Sequence, residues 1–308
     1  MARQINDPGF GTKYASKAQR LISTDGTFNI KKTGIGTNIR DTYHKLINMS
    51  WTKFLLLSLL IIFIINVVFA LVYVAIGIEH LHGDMEGDTL NNVLQAFYFS
   101  FQTFTTVGYG HITPVGIVTN LVAFLESATG LMVFAIITGL LYGRFAKPSM
   151  RLLYSKNALI APFKDGWAMM FRVTNIRRSL LIAMSANVAI SIRDVLKGAD
   201  KREYYRLPLQ LSNIEFFPGS WTLVHPIDKD SPFNKIDLHN LEEEDFEIII
   251  QIKGFDETFG QTVHSHYSYI TEELVVGAKF RLAYEFDENG QSYLPVDKFN
   301  DFDIVEYS

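Results

Sequence analysis

Two long apolar segments dominate the first half of the chain. Residues 54–78 form a run of 25 residues without a charge, and residues 112–143 form a run of 32 that only Glu126 interrupts. A helix needs about 20 apolar residues to cross a membrane. Beyond residue 151 the charged residues return and no apolar run is comparable. The pattern therefore predicts a membrane half with two spans, followed by a water-soluble half.

A shorter apolar pattern lies between the two segments, in TLNNVLQAFYFSFQTF at residues 89–104. Its spacing is typical of a helix, and Asp88 or Thr89 suits the N-cap position. Such a helix is only about 24 Å long, too short to cross a membrane and return. We therefore expect it to enter the membrane partway, covered by protein. It leads directly into TTVGYG at 105–110, and Pro114 prevents the helix from resuming.

The second half of the chain consists of short β-rich runs such as MMFRVTNI, SWTLVHPI and FEIIIQI. Turn-prone pairs, among them Pro218-Gly219 and Asn289-Gly290, separate these runs. Many short strands without alternating helices are typical of an all-β sandwich.

The net charge of −4 hides an uneven distribution. Nine Lys and Arg residues lie within 1–53, four more lie within 144–156, and none lies within 79–115. The positive-inside rule then places both termini in the cytoplasm and the 79–115 loop outside a plasma membrane. Residues 40–51 form an amphipathic stretch that ends in Trp51 and suits the inner membrane surface. The alternative is that they are only the first turns of a longer helix.

Several kinds of chemistry are not indicated. Cysteine is absent, which excludes disulfides and thiolate metal sites. His264 and His266 share one face of a predicted strand, but no third ligand stands at a suitable spacing, so an ordinary strand surface is favoured. The sequence shows no paired carboxylates and no nucleophile–histidine pattern that would indicate an enzyme. We expect no organic cofactor, no resident metal and no nucleic-acid partner.

Two spans with a re-entrant helix and TVGYG between them resemble the pore unit of potassium channels. More specifically, the chain resembles the inward-rectifier potassium channels, in particular their prokaryotic members. The similarity covers nearly the whole chain, and the motifs that carry it are RLISTDGTFNI, GRFAKP, FRVTNIR, HPIDKDSP and FEIIIQIKGFDETFGQTVHSHYSY. This resemblance implies a homotetramer with an immunoglobulin-like β-sandwich in the cytoplasm.

The resemblance implies a selectivity filter in which backbone carbonyls bind K⁺, the permeant ion. Gly108 and Gly110 permit backbone angles that other residues avoid, and Tyr109 is expected to wedge against the pore helix. The filter residues are Thr106, Val107, Gly108, Tyr109 and Gly110. The residues expected to support them are Gln102, Thr105 and Glu126. Gln102 and Ile112 replace a Glu–Arg pair that braces the filter in many relatives. The alternative for Glu126 is a cation attractor that faces the pore.

On the inner helix the resemblance assigns Phe134 to the cavity and Tyr142 to a gate at the bundle crossing. Strong rectifiers carry an acid at the cavity position, and Ala183 and Asn213 stand at two further positions that are acidic in those channels. We therefore expect only weak block by polyamines; cations and polyamines are the expected kinds of blocker. Gly130 and Gly139 would let the helix bend, or would only aid packing.

Two further groups of residues are expected to regulate the channel. The loop 254–261 matches a cytoplasmic constriction, with flexibility from its glycines and charge from its acids; a solvated hairpin is the alternative. Its residues are Gly254, Phe255, Asp256, Glu257 and Gly260. Basic residues near the membrane are expected to bind anionic phospholipids, although topology alone would also place cations there. They are Lys45, Arg144, Lys147, Arg151, Arg177 and Arg178.

The sequence thus predicts a potassium-selective, passively conducting channel; the alternatives are a weakly selective cation pore and a membrane-anchored β-sandwich receptor. The expected segments are an N-terminal arm (1–39), an amphipathic helix (40–51), an outer span (52–78), a pore loop (79–115), an inner span (116–147) and the cytoplasmic domain (148–308).

Overall fold

The computed structural model describes residues 4–5, 8–11, 20–30, 34, 39–83, 89–148, 150–177, 179–194 and 201–307. Asp88 and Arg178, both named above, lie outside the described residues. The chain divides into two compact units. The helical unit comprises residues 34–147, and the β unit comprises residues 1–33 and 148–308.

The described residues form four α-helices and seventeen strands. The helices are α1 (Ile39–Asn48), α2 (Trp51–Ile76), α3 (Thr89–Phe104) and α4 (Ile117–Phe145). The strands are β1 (Gln4–Ile5), β2 (Leu81–His82), β3 (Thr113–Pro114), β4 (Leu152–Tyr154), β5 (Ala158–Phe163), β6 (Gly166–Asn175), β7 (Leu181–Asp194), β8 (Lys201–Leu207), β9 (Asn213–Phe216), β10 (Ser220–Ile227), β11 (Phe246–Asp256), β12 (Gln261–Ile270), β13 (Leu274–Val276), β14 (Ala278–Phe280), β15 (Glu285–Phe286), β16 (Ser292–Tyr293) and β17 (Phe302–Ile304). Short 3₁₀ helices cover Ile78–His80, Pro232–Lys235, Leu241–Glu243 and Thr271–Glu273.

Helices α2 and α4 are long and apolar enough to cross a membrane. At 26 and 29 residues they extend about 39 and 43 Å, more than the roughly 30 Å of a hydrocarbon core. Much of their apolar surface is exposed in the single chain, as Leu59 and Ile117 illustrate. Such surface is stable only against lipid or other copies of the chain.

Helix α3 packs between the two long helices through aromatic side chains. The Tyr73 and Phe99 rings lie 5.0 Å apart, and the Phe63 and Phe97 rings lie 5.7 Å apart. Strands β2 and β3 pair antiparallel and bring the two ends of the loop around α3 together. Helix α3 is thereby held as a short element inside a frame made by the rest of the unit.

The β unit is a sandwich of two sheets around one core. The first sheet has the order β1-β8-β7-β11-β12, with β9 paired to β7; the second has the order β10-β6-β5-β13, with β4 paired to β6. Strand β11 shows the alternation that builds the core: Ile248, Ile250 and Ile252 are buried against the second sheet, whereas Gln251 is exposed on the outer face. Strand β6 contributes Phe171 and Val173 to the same core.

The N-terminal arm is fastened to the outer face of the first sheet. The backbone N–H groups of Leu21 and Ile22 donate to the Glu247 carboxylate at 2.9 and 3.3 Å. The Ser268 hydroxyl donates to the Ile22 carbonyl at 3.0 Å, and Arg20 pairs with Glu273 at 3.1 Å. Because the Glu247 carboxylate is buried, its hydrogen bonds to the arm replace those it would make to water.

The HPIDKDSP motif covers the end of β10 and the exposed turn that follows, with buried residues at both of its ends. His225 is 2% exposed; its Nδ1–H donates to the Pro208 carbonyl at 2.7 Å, and its Nε2 accepts from the Ser231 hydroxyl at 2.9 Å. Ser231 is also the N-cap of the 3₁₀ helix that follows. Burial lowers the pKa of His225 below its ordinary 6.5, against a smaller opposing effect of the Pro208 carbonyl. The motif therefore contains a histidine that the fold holds neutral.

This histidine should make the stability of the β unit depend on pH. The unfolded chain binds a proton at His225 more readily than the folded chain, so the free energy of unfolding is highest above pH 6.5 and falls as the pH drops below it. Urea unfolding followed by circular dichroism between about pH 7.5 and 5.5 should show this fall. In His225→Gln the dependence should be weaker, although stability at neutral pH is lower. An identical dependence in both proteins would contradict the assignment.

Candidate functional site

The backbone of the TTVGYG segment alternates in handedness. Thr106, Gly108 and Gly110 have φ values of 59°, 56° and 78°, whereas Val107 and Tyr109 keep negative φ. Such alternation turns successive peptide groups so that their carbonyls face the same side. From the sequence, positive φ angles are expected at the two glycines alone, and the positive φ of Thr106 was missed. A non-glycine residue in this conformation costs about 1–3 kcal/mol and is most often found at functional sites.

The N–H groups of this segment are directed back to the end of α3. The Gln102 carbonyl accepts from Val107 N–H at 2.9 Å and from Gly108 N–H at 3.3 Å, and its side-chain Oε1 accepts from Tyr109 N–H at 3.2 Å. Thr106 N–H donates to the Thr103 carbonyl at 3.1 Å. Since the donors point toward α3, the carbonyl groups are presented on the other side. Gln102, 9% exposed, holds the segment with both its backbone and its side chain.

The structure corrects one expectation about this segment and leaves another as a prediction. The Tyr109 side chain is 83% exposed in the single chain, so its packing against a pore helix stays a prediction for the assembled protein. The Thr105 hydroxyl donates to the Phe101 carbonyl at 2.7 Å, so it closes the last turn of α3 and does not reach the TVGYG backbone. Within one chain the segment is therefore supported from α3 through Gln102, and its other side is open.

Glu126 belongs to a buried polar cluster that joins α2, α3 and α4. Its carboxylate accepts from the Tyr73 hydroxyl of α2 at 2.6 Å and from the Ser100 hydroxyl of α3. Ser100 also contacts the Asn66 carbonyl of α2, at 3.0 Å. Each of these four residues is 0% exposed. A carboxylate enclosed in this way within one chain does not face a pore, so the alternative of a pore-facing attractor is wrong. Sequence reasoning missed the three partners, although Asn66 stands out as a polar residue in an apolar span.

Gly130 and Gly139 of α4 differ in their surroundings. A Cβ at Gly130 would collide with the Phe104 carbonyl at the end of α3, whereas a Cβ at Gly139 would meet no described atom within 4 Å. Gly130 therefore serves a close approach between helices, and Gly139 leaves α4 without a neighbour at that point. Phe134 packs its ring 5.9 Å from that of Phe104. Tyr142 is 75% exposed in the single chain.

Comparison with known proteins agrees with this arrangement of elements. Residues 152–308 match the family described as inward rectifier potassium channel C-terminal domain, and residues 51–147 match the family described as ion channel. The chain belongs to the inward rectifier potassium channel family. It is similar to the inward rectifier potassium channel Kirbac3.1 of Paramagnetospirillum magnetotacticum, with 29% identity over 294 residues, 94% of this chain and 98% of the relative.

Vertebrate relatives are similar over most of the chain as well. The ATP-sensitive inward rectifier potassium channel 12 of Gallus gallus is 27% identical over 319 residues, which cover 93% of this chain and 72% of the relative. The G protein-activated inward rectifier potassium channel 3 of Mus musculus is 30% identical over 293 residues, 85% of this chain and 72% of the relative. These relatives are ion channels and not enzymes, and the membership confirms a two-span pore domain joined to a β-sandwich.

The segment 254–261 of this inward rectifier is a hairpin, and two of its predicted properties are wrong. Gly254 is buried within β11, where an added Cβ would collide with Met184, so its role is packing and not flexibility. Asp256 is completely buried, and its Oδ1 accepts from the N–H groups of the turn, with 2.9 Å to that of Thr258. Only Glu257 presents an exposed carboxylate at the tip, while Gly260 supplies the φ of +61° that the turn requires. Phe255 is 37% exposed.

Arg144 is not the free cation that its place among the lipid-binding candidates implied. Its guanidinium donates to the Ile47 carbonyl at 3.1 Å and to the Met49 carbonyl at 2.6 Å, and it also donates to Leu46. It stacks 4.7 Å from the Trp51 ring. These carbonyls belong to the last turn of α1 and to the residue that follows the helix, where no intrahelical donor reaches them. Arg144, 9% exposed, therefore ties the end of α1 to the end of α4.

The other basic candidates lie in both units. In the helical unit Lys45 is exposed, and Lys147 is exposed and donates to the Asn48 side chain. In the β unit Arg151 is exposed and Arg177 is half-buried. Within the described residues, no cluster of three or more His, Asp or Glu could hold a metal ion.

Substitution of Arg144 distinguishes the two roles that a cation could have here. Arg144→Lys keeps the charge but removes the planar group that reaches several carbonyls at once, so α1 should fray. Hydrogen exchange of residues 39–48 in the detergent-solubilised protein should then rise by roughly tenfold, as expected from the loss of about 1–1.5 kcal/mol of hydrogen bonding. Lys53→Gln is the control, which removes an exposed charge in the first turn of α2 and leaves the contacts of Arg144 in place. If Arg144→Lys exchanged like the parent protein, the helix-end role would be refuted.

Proposed function

We propose that this chain forms a homotetrameric, potassium-selective pore of the inward-rectifier type that permits passive K⁺ permeation. The observation that carries the proposal is the backbone of 105–110, whose N–H groups are engaged by Gln102 and Thr103 while its carbonyls face the opposite side. Four such segments around one axis would supply rings of carbonyl oxygens in place of the hydration shell of K⁺. The filter residues are then Thr106, Val107, Gly108, Tyr109 and Gly110.

Tetramer formation is supported by the apolar surface that one chain leaves exposed. Val107 is 53% exposed, Tyr109 83% and Ile117 88%. Neighbouring copies would bury the surfaces that face the axis, and lipid would cover the rest. The excess of Lys and Arg in 1–53 and 144–156, compared with none in 79–115, supports a plasma-membrane channel with both termini in the cytoplasm.

Support of the filter rests on two different residues. Gln102 holds the backbone directly, and Glu126 holds α3 from behind through Ser100. Gln102 also stands where many relatives carry one half of a Glu–Arg pair, so a neutral amide performs the bracing here. Because an amide stands in place of an ion pair, a pore with reduced selectivity among cations is the second possibility to be tested.

Gating is proposed at Tyr142 and at the 254–261 hairpin. The Tyr142 side chain projects from α4 with 75% of its surface free, so four of them can narrow the inner mouth. Phe134 places an aromatic ring where strong rectifiers carry an acid, and Ala183 and Asn213 are uncharged. We therefore propose only weak block by polyamines.

Anionic phospholipids are proposed as regulators. Lys45 and Lys147 are exposed near the helix ends of the helical unit, and each cation near an anionic leaflet contributes roughly 1 kcal/mol. Arg151 and Arg177 are proposed as further contacts in the β unit. Arg144 is removed from this group, because backbone carbonyls of its own chain occupy its guanidinium.

The proposed function is tested by uptake of radioactive Rb⁺ into liposomes that hold the purified protein. Uptake that Ba²⁺ blocks and Na⁺ does not reduce is expected. Gly108→Ala should abolish uptake, because a side chain is strained at φ +56°. Gly290→Ala is the matched control: it has φ +79° and equal space for a Cβ, but it lies in a surface turn of the β unit.

Equal competition by Na⁺ would instead favour the weakly selective cation pore. Absence of uptake in liposomes of several lipid compositions, with folded tetramer recovered from them, would contradict the channel and favour the receptor.

The role of Glu126 can be measured in the same liposomes. Glu126→Gln replaces one of the two accepting oxygens by an NH₂ group that cannot accept from Tyr73 or Ser100. The lost hydrogen bond is worth about 1 kcal/mol and should reduce the preference for Rb⁺ over Na⁺ roughly fivefold. Thr129→Val is the control on the same helix, since among the described residues the Thr129 hydroxyl contacts only the Leu125 carbonyl of α4. Unchanged selectivity and Ba²⁺ block in Glu126→Gln would show that the carboxylate does not brace the filter.

A further inference from the structure

A cavity of about 650 Å³ lies within the β unit, between the N-terminal arm and the outer face of the first sheet. We name it the arm pocket and define it by Phe10, Ile22 and Phe28 on the arm side and by Asn187, Arg206, Gln251 and His266 on the sheet side. Its volume is that of a site for a small organic molecule. It includes none of the residues assigned above to conduction, gating or lipid binding.

The wall that the arm contributes is held in place independently of the pocket. Leu21 and Ile22 are bound through Glu247, and Ser268 binds the Ile22 carbonyl. Strand β1 pairs with β8, which fastens the arm a second time. The opening is therefore a feature between two attached elements and does not depend on a ligand to form.

One side of the arm pocket is aromatic. The Phe28 ring lies 5.2 Å from the His266 ring and 5.8 Å from the Phe10 ring. Phe28 is 49% exposed and Ile30 is 53% exposed, so apolar surface faces the opening and is available to a ligand. Aromatic pairs with centroids 4.5–7 Å apart are favourable, and a planar ring could extend this group.

The opposite side is polar, and the register of the sheet explains why. Asn187, Gln251 and His266 are direct neighbours across β7, β11 and β12, on the face away from the core. The side chains of Gln251 and His266 meet at 3.5 Å. Arg206 lies opposite Ala189 one row away, so its long side chain stands beside a small residue.

The charged group of the arm pocket is Arg206. Arg206 is exposed, and none of the described residues that line the cavity is acidic. In the described part of the chain, no ion pair or hydrogen bond engages the Arg206 guanidinium. An arginine left in this state beside amide groups offers a planar fork of donors that matches a carboxylate.

We propose that the arm pocket binds a small amphipathic carboxylate, with an aromatic body against Phe28 and its carboxylate on Arg206. The aromatic side supplies burial, the cation supplies selection for a negative charge, and the amides of Asn187 and Gln251 orient the polar end. Because the arm forms one wall, an occupied pocket would hold the arm more tightly against the sheet.

Binding can be measured by isothermal titration calorimetry of the full-length protein in detergent, with naphthoate as the probe. Naphthamide, which has the same ring without the charge, is the paired ligand and also reports partition into micelles. Naphthoate should bind saturably, and Arg206→Gln should weaken it by roughly tenfold or more, as expected for a charge-assisted hydrogen bond. Naphthamide affinity should be lower and should not change in Arg206→Gln.

Arg281→Gln is the matched control, since Arg281 is an exposed arginine of the β unit that lies outside the arm pocket and pairs with Asp303. Phe28→Ala should weaken both ligands, because it removes the aromatic wall they share. The proposal is overturned by equal affinity for the two ligands, by an equal loss in Arg281→Gln, or by the absence of saturable naphthoate binding at millimolar concentration. None of these readouts requires ion conduction, so they are independent of the outcome of the flux experiment.

Discussion

The hydrogen bonds that Gln102 accepts are the interaction on which the rest of the helical unit depends. An extended loop at membrane depth exposes both N–H and C=O groups, and each group left without a partner costs free energy. The end of α3 accepts the N–H groups of the loop, which leaves only the carbonyls to be satisfied by something else. A cation is the natural partner of such carbonyls. The position of α3 therefore decides whether the carbonyls of the loop can face a cation together. The packing of α2 and α4 fixes that position.

The two units bury opposite kinds of side chains, but both use a buried carboxylate to join separate elements. In the helical unit the polar groups of Asn66, Tyr73, Ser100 and Glu126 are gathered inside, where they join helices whose outer surface is apolar. In the β unit an apolar core is gathered inside, and polar side chains such as Glu247 face outward and fasten the arm. Either way a buried carboxylate is matched by several donors from elements far apart in the chain, and this matching makes their relative positions specific.

Much of the architecture could be predicted from the sequence, because hydrophobic periodicity reports directly on helices, spans and strands. The limits of α3 and the all-β character of the second unit follow from such patterns. The left-handed Thr106 could not be predicted, since hydrogen bonds to Gln102 and Thr103 override the preference of the residue itself. The burial of Asp256 was missed for a similar reason: an acid in a turn is usually solvated, and only the structure shows it accepting from the N–H groups of its own turn. Arg144 shows the remaining limit, because a basic residue near a membrane looks the same whether it meets lipid phosphate or backbone carbonyls.

The missing side chain at Gly130 has a mechanical consequence. The carbonyl of Phe104 fills the space of the absent Cβ, so α4 cannot slide along or rotate against α3 at this level without a collision. Helix α4 is therefore held at Gly130, and near its end Arg144 ties it to the end of α1. From Gly130 to Tyr142 the helix rises about 18 Å, so a tilt of about 10° about the contact displaces Tyr142 by about 3 Å. The helix then acts as a lever that turns about a point next to the filter support, and its far end moves together with the end of α1 while the backbone at 105–110 stays in place.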